Sequence, residues 1–298
     1  MNYCKLGNSE LKISEVSFGC MSLKEEVDNV KQLIHLAIDN GINYFDTADL
    51  YQQGQNEVML GNALKGFRDK VIVGTKVGNQ LREDGNGWDW NPSKKYIIQS
   101  VEESLRRLQT DYIDLYQLHG GTIDDAIDET IEAFEQLKEE GKIRYYGISS
   151  IRPNVIREYV KRSNIVSVMM QYSLLDRRPE EFCLNLLQEH TIGVLARGSV
   201  AKGLLSGKPV TDYLNYTTSE VKKTIEVLKN VSREDKSIGQ TAIQYVLKHP
   251  SITSTVIGIR TEQHLLETIA TSKLKVLGDE EYGLLKKSNK PAFYENHR

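Results

Sequence analysis

The chain has 298 residues, a formal net charge of −3 and 39% hydrophobic residues, which suits one α/β barrel and leads us to expect a single domain over residues 1–298. Basic residues do not cluster, so no nucleic-acid surface is expected, and no apolar stretch approaches the roughly 20 residues of a membrane span. Cys4, Cys20 and Cys183 are odd in number and scattered, without metal-ligand spacing; with an amino terminus lacking an apolar signal core, they lead to the expectation of a cytoplasmic, metal-free protein with reduced thiols.

In chain order, the opening YCKLGNSELKISEVSFG alternates apolar and polar residues around Gly7–Ser9 and reads as a hairpin plugging a barrel floor. Short runs rich in β-branched and aromatic residues then predict strands at Val16–Phe18, Ile42–Phe45, Val71–Thr75, Ile113–Gln117, Tyr145–Ser149, Val166–Met170, Gly193–Ala196 and Ser254–Ile257. Helical patterns lie between them, for example Asn29–Asp39 before Gly41, Lys94–Leu108 after Pro92, Asp128–Glu140 before Gly141 and Asn154–Lys161 after Pro153. Alternation of this kind predicts a parallel sheet closed into a (β/α)8 TIM barrel with an N-terminal β-hairpin. The stretch GNQLREDGNGWDWNPSKK after the third strand reads as a long loop and holds both tryptophans, Trp88 and Trp90. Either they wall a substrate pocket or one only packs the loop down. The terminal AFYENHR is too polar for core; it reads as a frayed tail or as a cover over the site opening.

Four residues carry the chemistry: Asp46 and Tyr51 in NYFDTADLY, Lys76 closing VIVGTK and His119 closing YIDLYQLH. Polar residues that end successive barrel strands converge at the carboxyl face, where such barrels build their sites. Singly, each has an ordinary explanation: a snorkelling lysine, a satisfied core histidine, a capping aspartate, a packing tyrosine. Together they form a proton-transfer set. A tyrosine, ordinarily titrating near ~10, donates more readily beside an ammonium that stabilises its phenolate. In this set Lys76 is that ammonium, Asp46 keeps it charged and aimed, and His119 orients a carbonyl.

Over essentially its whole length the chain resembles the aldo-keto reductases, in the segments 41–64, 100–119, GKIRYYGISS (141–150), YSLLDRRPE (172–180) and AKGLLSGK (201–208). It looks most like the bacterial reductases of the broad group that also includes the potassium-channel β subunits. The resemblance implies an enzyme that reduces aldehydes or ketones to alcohols, with a small-molecule carbonyl as partner and a monomer or weak homo-oligomer as its state. It implies hydride transfer from the nicotinamide of NADPH and a proton from Tyr51, with Tyr51, Trp88, Trp90 and His119 around the substrate. A nicotinamide-sensing partner protein with slow residual turnover is the alternative, and a binding scaffold without chemistry would have no use for the tetrad.

The same resemblance assigns cofactor contacts to Cys20, Met21, Asp46, Ser149, Ser150, Gly198, Val200, Lys202, Gly203, Leu204, Lys208 and Gly258. Around the adenosine it places Arg260, His264, Glu267 and Thr268. Arg260 is the reason to expect NADPH over NADH, since a 2′-phosphate suits a bidentate partner; a solvated surface arginine is the plain alternative. The chain departs from the family pattern at the nicotinamide. Ser150 stands where asparagine is usual, Met169 where glutamine is, and Thr268 also replaces an asparagine. Gln171, two residues beyond Met169 on the same strand face, is expected to supply the missing amide. Arg197 replaces the aromatic residue that stacks beneath the ring, and its charge would favour the reduced cofactor.

Overall fold

In the computed structural model, which describes residues 1–23, 29–232 and 236–298, the eight expected strands are present and close into a parallel barrel. A short antiparallel hairpin, β1 (Tyr3–Lys5) and β2 (Lys12–Ser14), precedes it. The barrel strands are β3 (Val16–Gly19), β4 (Tyr44–Asp46), β5 (Ile72–Val77), β8 (Ile113–Leu118), β9 (Ile143–Ser149), β10 (Ser167–Gln171), β11 (Gly193–Arg197) and β12 (Ile252–Gly258), with β12 pairing back onto β3. Between β5 and β8 lies a second hairpin, β6 (Asn79–Leu81) with β7 (Trp88–Trp90). The supposed loop there is thus partly ordered as a two-stranded ribbon.

The hairpin β1–β2 does plug the floor. Leu6, Leu11 and Ile13 share one buried apolar cluster with the inward-facing Tyr44, Leu115, Met169, Leu195 and Val256. Gly7, at φ +56°, is required there: a β-carbon would stand 2.8 Å from the Gly193 backbone nitrogen.

Helices cover the outer wall: α1 (Val30–Asp39), α2 (Gln55–Ala63), α3 (Lys94–Leu108), α4 (Ile127–Glu139), α5 (Pro153–Arg162), α6 (Cys183–Glu189), α7 (Thr218–Ser232), α8 (Ile238–Leu247), α9 (Glu262–Ala270) and α10 (Asp279–Lys287). Their starts follow local chemistry. The Ser93 hydroxyl accepts from Tyr96 N at the head of α3, Pro153 occupies the first turn of α5, and Ser237 with Gln240 forms a capping box on α8. Among the described residues no helix is long and apolar enough to cross a membrane, and no cluster of His, Cys, Asp and Glu could hold a metal ion.

The carboxyl-terminal segment is docked, not frayed. Tyr294 is buried, its backbone nitrogen donates to Glu181, and Arg178 lies 5.2 Å over its ring. His297 O accepts from Asn154 N at the start of α5. This segment contributes no residue to the wall of the cavity described next, so it does not cover the opening.

Candidate active site

Strand register sets the site. Asp46, Lys76, Ser149, Gln171, Arg197 and Gly258 all lie in the last turn of barrel at the carboxyl ends of β4, β5, β9, β10, β11 and β12. Above them opens a cavity of about 1000 Å³.

Lys76 is wholly buried beneath the cavity, and its ammonium donates to the Asp46 carboxylate, to Thr47 O at 2.6 Å and to the Tyr51 hydroxyl at 3.5 Å. The second Asp46 oxygen accepts from Tyr44 OH at 3.1 Å and Gln117 Nε2 at 3.2 Å, so the carboxylate is fixed from two sides. Burial opposes the Lys76 charge, but the charges of Asp46 and Tyr51 and their hydrogen bonds outweigh it and hold its pKa above the usual lysine value. Gly74, paired with Asp46 across the ladder, leaves the space that the Tyr44 hydroxyl fills.

Tyr51 leaves β4 on a turn that bends sharply. Gln52 and Gln53 follow it in left-handed conformation, at φ 51° and 54°, which costs energy for any residue but glycine. Side-chain bonds hold the bend: Gln52 Nε2 donates to Leu23 O at 2.6 Å, while Asn56 Nδ2 donates to Cys20 O at 2.8 Å and to Gln52 Oε1 at 3.2 Å. Thr47 Oγ1 donates to Asn56 Oδ1 at 2.7 Å. The Tyr51 turn is therefore tied to the loop after β3.

His119 stands edge-on to Tyr51, with ring centres 5.9 Å apart and planes at 82°. Its backbone nitrogen donates to Val77 O at 2.7 Å, which extends the β5–β8 ladder by one bond. Burial first, then the charges of Lys76 and Arg197, push its pKa down to about 3. The imidazole is accordingly neutral at physiological pH and offers one N–H donor. Among the described residues its Nδ1 has no hydrogen-bond partner.

The cavity wall gathers the four-residue set's Asp46, Tyr51 and His119 with Met21, Trp88, Trp90, Ser149, Ser150, Gln171, Arg197, Gly198, Val200, Lys202, Gly203, Lys208, Gly258, Arg260 and His264. Four residues assigned to the cofactor are not on that wall. Cys20 is buried behind it, Thr268 is buried in α9, Leu204 lines a neighbouring depression, and the exposed Glu267 accepts from Ser237 Oγ at 2.6 Å. Gln171 reaches the wall, but both donors of its amide are taken: Nε2 lies 2.9 Å from Asp176 Oδ2 and 3.0 Å from Tyr213 OH. Its oxygen accepts from Arg197 Nη1 at 3.1 Å. The residue expected to supply a free amide is instead the tether of Arg197.

Trp90 is fixed by its indole N–H, which donates to Asp125 at 3.0 Å, and by close approach to Gly78 and Gly120. A β-carbon on either glycine would come within 2.7 and 3.0 Å of the Trp90 ring respectively. Sequence reading missed Asn79, Gly120–Thr122, Ile151, Arg152 and Tyr213 on the wall. Gly120–Thr122 and Ile151–Arg152 directly follow strand-end site residues, a placement that marks them as rim loops. Tyr213 lies in a segment without any strand or helix signal.

Comparison with known proteins agrees with this geometry. Residues 15–290 match the Aldo/keto reductase family. The oxidoreductase YqkF of Bacillus subtilis (strain 168) is 51% identical across 99% of this chain and 98% of its own length. Aldo-keto reductase AKR11C1 from Bacillus halodurans superimposes in its holo form with a TM-score of 0.94 at 52% identity, covering 100% of this chain and 99% of that one. Its apo form gives 0.87 at 48% identity with the same coverage. By sequence and by fold the chain belongs to the aldo/keto reductase family, and it is an oxidoreductase.

Proposed function

We propose that this chain is a single-domain, NADPH-dependent reductase of aldehydes or ketones, working in the cytoplasm as a monomer or weak homo-oligomer. Within the family we assign it to the bacterial branch that also contains the channel β subunits. The observation that carries the reading is the buried chain Asp46–Lys76–Tyr51 ending beside a neutral His119 at the floor of one cavity.

The wall fits a phosphorylated dinucleotide. Lys202, Lys208 and Arg260 bring three cations to one side, and Arg260 immediately precedes Thr261, the N-cap of α9, whose first-turn N–H groups favour an anion. Gly258 leaves room beside Ser22, where a β-carbon would stand 2.5 Å from its hydroxyl. In this reading Arg260 and His264 hold the adenosine 2′-phosphate, Lys202 and Lys208 the pyrophosphate, and Ser149 and Ser150 the carboxamide, with Met21, Gly198, Val200 and Gly203 completing the cradle, while Cys20, Leu204, Glu267 and Thr268 stand outside the wall and support it without touching the cofactor. Arg197, held by Gln171, lies against the ring.

NADPH, when bound, supplies the hydride. The protein's part is proton management and orientation. His119 donates its N–H to the substrate carbonyl oxygen, and Tyr51 gives its hydroxyl proton to that oxygen as negative charge develops there. Lys76, kept charged by Asp46, stabilises the phenolate left behind. Trp90 and Trp88 wall the substrate side.

The test is NADPH oxidation against aldehydes, ketoacids and quinones. Turnover with at least one class is expected. Tight NADPH binding with no turnover on any of them would overturn the reductase reading and favour a nicotinamide sensor.

A further inference from the structure

The charge on the cavity wall is lopsided in a way that cofactor binding does not use up. Among the described residues Asp46 is the one carboxylate on that wall, and Lys76 already neutralises it. Against it stand Lys202, Lys208, Arg260, Arg197 and Arg152. The first three have phosphate work in the reading above, and Arg197 lies with the ring. Arg152 is left over, and it sits elsewhere.

Arg152 follows β9 at the head of α5, and its Nη1 donates to Gly121 O at 2.6 Å. Gly121 is two residues past His119, so this guanidinium belongs to the wall built by the β8 and β9 ends. In the closed ring β8 and β9 lie across from β12 and β3, whose side carries Gly258, Arg260 and His264. Beside Arg152 the wall offers apolar surface from Trp90, which packs over Gly120, and from Ile151, together with the uncharged hydroxyl residues Thr122 and Ser150. In the loop that follows Gly121, Asp125 is committed, since it accepts from Trp90 Nε1 at 3.0 Å and from Thr122 N and Oγ1 at 2.7 Å each. Among the described residues no carboxylate forms an ion pair with Arg152.

A half-buried arginine whose one side-chain hydrogen bond among the described residues goes to a backbone carbonyl keeps most of its planar donor fork for something else. That fork matches a carboxylate in bidentate fashion. We propose that Arg152 is a specificity-determining residue that selects carbonyl substrates bearing a carboxylate on an apolar or aromatic body. The body lies against Trp90 and Ile151, and the carbonyl reaches Tyr51 and His119. This inference rests on the carbonyl-reductase reading and names the substrate class of that same site.

The test compares 4-carboxybenzaldehyde with methyl 4-formylbenzoate, using the NADPH-loaded wild-type enzyme, Arg152→Gln and Arg152→Lys. The two aldehydes are close in shape, and the ester is the more electron-withdrawing, so a preference for the acid cannot come from intrinsic electrophilicity. In wild type the acid is expected to have the higher kcat/KM by roughly ten-fold or more, as for one charge-assisted contact. The acid-to-ester ratio should fall to about one or below in Arg152→Gln and recover in part in Arg152→Lys. A second measurement needs no variant: benzoate should compete with methyl 4-formylbenzoate in wild type, and benzamide should not. Equal or reversed preference in wild type, a ratio untouched by Arg152→Gln, or equal competition by benzoate and benzamide overturns the proposal. If wild type binds NADPH and reduces other aldehydes, ketoacids or quinones but neither of these two, the proposal for Arg152 fails alone; if it reduces none of them, the reductase reading itself fails.

Discussion

The Lys76 ammonium lies 3.5 Å from the Tyr51 hydroxyl and 5.0 Å from the centre of its ring, so one buried cation serves both the phenol oxygen and the phenol face. Both contacts stabilise negative charge on Tyr51 or tolerate its ring close by. The arrangement persists because Asp46 is itself fixed by Tyr44 and Gln117.

Cofactor choice is tested at Arg260. Arg260→Ala should weaken NADPH by roughly 1.5–3 kcal/mol, the range for a hydrogen bond to a charged group, and leave NADH almost unchanged. Fluorescence titration with each cofactor reads the difference. Equal losses would show that Arg260 does not meet the 2′-phosphate.

The nicotinamide side is tested at Arg197. Arg197→Tyr replaces a guanidinium tethered to Gln171 by a neutral ring and, in the proposed reading, removes a charge that would oppose an oxidised nicotinamide. NADP+ should then bind tighter relative to NADPH. Titrations of both redox states on both proteins give the ratio, and an unchanged ratio would place Arg197 away from the ring.

A pH effect on stability follows from Asp49. The residue is buried, its Oδ1 has no hydrogen-bond partner among the described residues, and burial with the charge of Glu57 pushes its pKa up to about 8 against the pull of Arg107, the Leu50 N–H and Lys76. The unfolded chain releases this proton near ~4, so across the interval up to about 8 the folded chain binds more protons and loses stability as pH rises. Asp49→Asn abolishes that loss. Its melting temperature relative to wild type should climb from about pH 5 to about pH 8. A gap that stays flat over this range would mean that Asp49 is already ionised in the folded state.

Much of this was legible in the sequence, for identifiable reasons. Runs such as Val71–Thr75 are rich in β-branched residues and are followed at once by a polar residue with a task, here Lys76, so both strand and site could be read together. Strand ends extend further than the apolar runs because the backbones of Asp46, Leu118 and Arg197 still complete the ladder. The β6–β7 hairpin was hidden because its strands are three residues long and partly polar, and its turn is opened by Gly85 and Gly87 at φ 73° and 95°. Tertiary partners decided the rest. Gln171 gives its amide to Tyr213, 42 residues away, and Tyr294 docks on Glu181, 113 residues back, and no local pattern announces either contact.

The most direct measurement is NADPH binding and carbonyl reduction by Tyr51→Phe beside wild type. The substitution deletes one hydroxyl above Lys76 and nothing that the cofactor needs. NADPH titration should be nearly unchanged, while the reduction rate at saturating aldehyde falls by about a hundred-fold or more, as for loss of a general acid used in the transition state. Turnover near the wild-type rate would contradict the assignment of Tyr51 as proton donor and, with it, the mechanism built on the Asp46–Lys76–Tyr51 chain.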